Sequence, residues 1–170
     1  MTTAHTWEKA SEVDLEILRS HLDRLPRGVV GIGARCASGH PSVVVTAPRL
    51  DDGTPFPTTF YLTCPGAVYG CSVLEAEKVM EDLNAWLAED ESARVGHAAA
   101  HEAYIAARRT LGEVPEIDGV SAGGMPTRVK CLHALVGHAL AAGPGVNVVG
   151  DRALEIMAER GLWTPQTCQA

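Results

Sequence analysis

Apolar residues follow one period at the start of the chain, another in its middle and the first again thereafter. Leu15, Leu18, Leu22 and Leu25 recur at helical spacing behind Ser11 and Asp14 and stop at Pro26, which predicts a capped amphipathic helix. From Gly28 the pattern shortens. Val29, Val30 and Ile32, then Val43 to Val45, form two β-branched runs around the turn segment Cys36-Ala-Ser-Gly-His-Pro41. Proline and glycine punctuate 48–57, and TTFYLT at 58–63 reads as a third strand ending at Cys64-Pro65.

Helical spacing then returns. Ser72 and Glu75 form a capping-box pair ahead of a stripe of Val73, Ala76, Met80, Leu83 and Leu87 that runs to about residue 90. A second helix runs from Ser92 to Leu111 and stops at Gly112. A third has Pro126 at its first position, spans 127–142 and ends at Gly143-Pro144-Gly145. Asp151 caps a last helix carrying Leu154, Ile156 and Met157. This order predicts an α+β fold, with a small three-stranded sheet, mixed or antiparallel, from the first half packed against about five helices. One domain spans 1–170, with 1–10 and 161–170 loose.

Composition narrows the partners. With 46% apolar and 21% charged residues in 170, the chain is globular. A formal net charge of −7 argues against nucleic acid as a partner. No apolar run approaches the ~20 residues of a membrane span. The opening MTTAHTWEKASEVD lacks a basic start followed by an apolar block, so a cytoplasmic location is expected. Five cysteines in that setting read as thiols or metal ligands rather than disulfides. The number of subunits is not written in the pattern.

Chemistry concentrates in 119–151. Gly123 and Gly124 precede the predicted helix start, and Arg128 and Lys130 fall in its first turns. Together they form a candidate binding site for a small anionic ligand. At about 100° per residue, Cys131 and His138 share a face of that helix while His133 points away. Gly31-x-Gly33 lacks the third glycine and the following helix of a dinucleotide loop. His97 and His101, four apart, supply half a metal site at most, and His101 beside Glu102 is the better candidate. Asp51 and Asp52 read as turn-capping residues.

Three stretches, Gly33-Ala-Arg-Cys36, PRLDDGTPFPTTFYLTCP at 48–65 and AGGMPTRVKCLHALVGHALAAGPGVN at 122–147, resemble the bacterial domain-of-unknown-function family 501. The likeness spans about residues 26–152, and Val148 stands where the family pattern has proline. The resemblance implies no particular reaction. It does place Cys36, Cys64 and Cys131 inside the shared stretches, and Cys71 and Cys168 outside them.

Three readings follow. Strand ends and a helix start can converge, bringing Cys36, Cys64 and Cys131 together with His101, His133 or His138 as a further ligand. Such a set suits zinc or an iron–sulfur cluster. Alternatively, Cys64 or Cys131 is the thiolate nucleophile of an enzyme acting on a small anionic or phosphorylated substrate. Finally, the chain is a non-catalytic regulatory or interaction protein with Trp7, Trp86 and Trp163 on a partner surface. Sulfur spacing discriminates among them, since Zn–S bonds of ~2.3 Å require sulfurs close together.

Overall fold

Every residue of the central strand β2 (Pro41–Thr46) is buried, because the sheet has a helix on each face. The computed structural model describes residues 6–168. The expected loose ends at 1–5 and 169–170 lie outside the described residues. Strands β1 (Val29–Arg35) and β3 (Phe60–Leu62) pair antiparallel on either side of β2, giving the order β1-β2-β3. Strand alternation splits the valines. Val44 joins Ile32 and Leu18 of α1 (Glu12–Leu22) in a small cluster. Val43 and Val45 join Phe60 and Leu62 in the main core. Burying each such side chain contributes roughly 1.5–3 kcal/mol.

The α1 cap forms as its sequence predicts. Asp14 N–H donates to Ser11 Oγ at 3.1 Å, and Ser11 N–H donates to Asp14 Oδ2 at 2.9 Å. Asp14 also takes both guanidinium nitrogens of Arg35, at 2.7 and 2.9 Å, which ties the helix to β1. That pairing holds the Asp14 carboxyl well below the usual carboxylate range.

The helical half comprises α2 (Pro65–Ala76), α3 (Val79–Glu89), α4 (Glu91–Arg109), α5 (Leu132–Ala142) and α6 (Val148–Glu159). The single helix expected from Ser72 to about residue 90 is two helices. The first opens earlier, at Pro65, a residue suited to the first turn. Lys78 adopts a left-handed conformation with φ 63 and separates the second. At the centre lies α5, with Leu132, Leu135, Val136 and Ala139 buried. A β-carbon at Gly137 would sit 2.8 Å from the Phe60 carbonyl oxygen, and one at Gly150 would overlap the Leu135 carbonyl. Glycine at these two positions lets α5 press onto β3 and α6.

The start of α5 differs from the sequence reading. The helix begins at Leu132, not in the turn after Pro126, and the Met125–Pro126 peptide is cis. The backbone of the intervening loop is bound elsewhere. Arg128 N–H donates to Gly124 O at 3.0 Å, and Lys130 N–H donates to Gly123 O at 2.7 Å. Asn84 brackets Val129 with bonds of 2.8 and 3.0 Å. His97 lies 2.9 Å from the Arg128 carbonyl. No helical ladder can form while these groups are taken. After α6, Trp163 is only 5% exposed and packs against Gly66 of α2, so the described part of 161–168 is anchored rather than loose. Among the described residues no helix is long and apolar enough to cross a membrane.

Candidate functional site

The last turn of α2 faces the first turn of α5. Ser72 and Glu75, three residues apart, lie on one face of α2, as helical spacing requires. Glu75 Oε1 accepts from Leu132 N–H at 2.8 Å, which caps α5 with a carboxylate at its positive dipole end. The same oxygen lies 3.1 Å from Nδ1 of His133. On the other side of the ring, Nε2 lies 3.2 Å from Ser72 Oγ, whose own proton goes to the Val68 carbonyl at 2.9 Å. In the metal-free chain this network assigns a proton to both ring nitrogens.

Cys131 completes the group from the N-cap of α5, in an extended conformation with φ −146 and ψ 113. Because it stands outside the helix, the wheel that separates Cys131 from His133 does not apply. The Cys131 thiol is lowered from its ordinary value first by its hydrogen bond with His133, against the effect of burial, and further by the Ala134 N–H. His133 is correspondingly raised to about 9, through Cys131 first and Glu75 second. The arrangement favours a thiolate–imidazolium pair. One ligand atom each from Glu75, Cys131 and His133 lie within 4.8 Å of one another. Behind them Cys71 is fully buried, which pushes its thiol up.

A largely apolar cleft of about 330 Å³ opens beside this group, lined by Leu22, Tyr61, Leu62 and Val68 together with Cys131 and His133. A recess of about 520 Å³ between α3 and α6 carries none of the sulfur or imidazole groups.

The other expected ligands go elsewhere. Among the described residues, no group of three potential ligands joins Cys36, Cys64 and Cys131 within the same distance. Cys36, just past β1, and Cys64, the N-cap of α2, instead meet Cys168. Cys64 Sγ lies 3.3 Å from Cys168 Sγ, and Cys36 is close enough to influence the Cys168 thiol. Burial, with the neighbouring Cys64 and Cys36 thiols, pushes the Cys168 thiol up to about 12.

The other expected histidine ligands, His101 and His138, hold the fold together. His101 Nδ1 lies 2.7 Å from Ser121 Oγ, anchoring the glycine-rich loop to α4. His138 stacks on Phe60 with centroids 5.3 Å apart and meets Asn147 at 3.0 Å. Burial pushes His138 down to about 4. Asp52 accepts from Thr54 N–H at 3.0 Å, as a turn residue does.

The anion-site residues are also redistributed. Gly123 and Gly124, with φ of 66 and 95, turn the loop before α5, and the exposed Arg128 and Lys130 lie on that loop rather than in the helix. The α5 start is already met by the Glu75 carboxylate. Sequence reasoning missed Glu75, Ser72 and Cys168. The first two read as a capping box, and their three-residue spacing was the available signal.

Comparison with curated proteins and with solved structures finds no match. The family described as "Protein of unknown function (DUF501)" matches residues 32–155, from β1 into α6 and across every residue of the Glu75–Cys131–His133 group. The chain belongs to that family.

Proposed function

We propose that Glu75, Cys131 and His133 hold a divalent metal ion, zinc in the first instance, with an open coordination position facing the apolar cleft. The observation that carries this reading is the convergence of three ligand atoms of different type within 4.8 Å. A carboxylate, a thiolate and an imidazole form a donor set that zinc accepts, and three protein ligands with one open position suit a reactive site rather than a structural one. An iron–sulfur cluster fits less well, because it draws on several thiolates and this group has one. His133 Nδ1 faces the carboxylate, leaving Nε2–H for Ser72, the outer-shell hydrogen bond that fixes a ligating ring. The ion would act as a Lewis acid on an oxygen of a substrate seated in the cleft.

The test is zinc content and zinc titration of wild type, Cys131→Ser, Glu75→Gln and Cys64→Ser. One zinc per chain is expected in wild type and Cys64→Ser. Cys131→Ser loses it, and Glu75→Gln binds at least ~10-fold more weakly. A folded wild type that takes up no zinc overturns the reading.

The thiolate–imidazolium pairing supports a second reading, in which Cys131 is a nucleophile and His133 its acid–base partner. Metal-free protein whose Cys131 alkylates fastest near neutral pH, with a rate that drops in His133→Asn, favours that alternative.

A further inference from the structure

We propose that Cys64 and Cys168 are a reversible thiol-modification site, joined as a disulfide by low-molecular-weight disulfides. This inference is independent of the metal reading. Cys64 Sγ and Cys168 Sγ lie 3.3 Å apart as free thiols. Bond formation requires an approach of only about 1 Å. The segment that brings Cys168 there is held on two sides. Ala37 N–H donates to the Pro165 carbonyl at 2.9 Å, and Ser38 Oγ donates to the Cys168 carbonyl at 2.9 Å. Trp163 is 5% exposed and fills the space over Gly66, where a β-carbon would stand 2.7 Å from its ring. The sulfurs therefore face each other without a covalent link.

Exposure sets the order of events. Cys64 is 2% exposed and Cys36 6%, whereas Cys168 is half-buried and accessible from outside. Cys168, whose raised thiol leaves a small deprotonated fraction and makes this the slow step, gives its proton to solvent and attacks one sulfur of the small disulfide, whose S–S bond breaks and releases one thiolate. Cys64, likewise deprotonated, attacks the Cys168 sulfur of the mixed disulfide and expels the second thiolate. In sum, two protein thiols are oxidised by two electrons, and one small disulfide is reduced to two thiols that take up the protons. Cys36, which neighbours the same Cys168 electrostatically, is the competing thiol. The product fastens the 163–168 segment to the start of α2.

The full chain is incubated with glutathione disulfide, remaining thiols are blocked with iodoacetamide, and unreduced peptides are identified by mass spectrometry. A linked peptide containing Cys64 and Cys168 is expected, with loss of two hydrogens from the intact mass, reversed by dithiothreitol. Cys36→Ser retains the link. Cys168→Ser, checked by thermal melting to be folded, lacks it. A chain that stays reduced, that stops at a glutathione adduct on Cys168, or that links Cys36 in place of Cys64 overturns the proposal.

Discussion

Helix α2 carries a sulfur-containing group at each end, and the two differ in everything but the sulfur. At its start, Cys64 faces Cys168 at 3.3 Å. At its last turn, about 16 Å along the axis, Glu75 faces Cys131 and His133. The first thiol group has other thiols for neighbours, so its accessible chemistry is exchange between sulfurs. In the second, an imidazole, a helix start and a carboxylate surround the sulfur, so charge is stabilised on it and a cation is attracted. Neighbours, not residue type, assign the chemistry.

The largest separation of the two comes from removing one sulfur from each. Cys131→Ser is expected to abolish zinc uptake while the Cys64–Cys168 link still forms in full. Cys168→Ser is expected to abolish the link and leave zinc binding unchanged. Elemental analysis and peptide mapping on the same preparations, oxidised and reduced, read both. A link lost in Cys131→Ser would merge the two groups into one site.

Gly123→Ala acts next most strongly, and on the second group alone. Its φ of 66 is a left-handed conformation, and a β-carbon there would lie 2.7 Å from two carbons of the Leu135 side chain. Strain of about 1–2 kcal/mol adds to overpacking of about 1–3 kcal/mol. A fall in Tm on the order of 5–15 °C follows for a domain of this size. Because Gly123 O accepts from Lys130 and Cys131 N–H, zinc affinity falls with it and the cross-link does not. A melting curve superimposable on wild type would contradict the loop geometry.

Gly66→Ala is the mirror experiment and a milder one. Alanine favours the helix by about 0.5–1 kcal/mol, but its β-carbon displaces the Trp163 ring and with it the segment carrying Cys168. Cross-linking by glutathione disulfide is expected to slow several-fold, with zinc binding retained. An unchanged rate would mean that Trp163 does not position Cys168.

How far these two groups could be read from residues alone depends on what fixes each contact. The strands were legible because Val43 to Val45 and Phe60 are buried for reasons visible in their own side chains. The α1 cap was legible because Ser11 and Asp14 satisfy each other within one turn. Ser72 and Glu75 carry the same signature, yet their partners are Val68, Leu132 and His133. Local spacing cannot distinguish a cap from a site when the competing partner lies 57 residues away. The α5 start failed for a similar reason, since Asn84, His97 and the Gly123 carbonyl take backbone groups that propensity assigns to a helix. The sequence pattern puts Cys131 and His133 in one ligand set, and they do lie together. It leaves Cys168 out, because nothing in a run of 161–168 announces that Ala37 and Ser38 hold it.

The smallest effect is on stability against pH, and it contrasts two histidines of the same helix in the metal-free chain. His133, raised from 6.5 to about 9, binds its proton more tightly folded than unfolded. Its contribution is complete below 6.5, declines as pH rises, and is gone above about 9. His138, lowered from 6.5 to about 4 by burial, has the opposite sign. There the unfolded chain binds the extra proton, so stability declines as pH falls from 6.5 towards 4. Cys131, lowered from its ordinary value by its pairing with His133, has the opposite sign to His133 and offsets part of that decline, so stability attributable to α5 falls only shallowly above 6.5 and more steeply below it. Urea unfolding across that range in His133→Asn should flatten the alkaline limb and keep the acid one. Zinc at saturation should flatten the alkaline limb as well, since a ligating ring nitrogen cannot hold the proton. An alkaline limb of undiminished size in His133→Asn would show that the imidazolium beside Cys131 and Glu75 is not its source, and the electrostatic difference between the two sulfur groups would lose its main support.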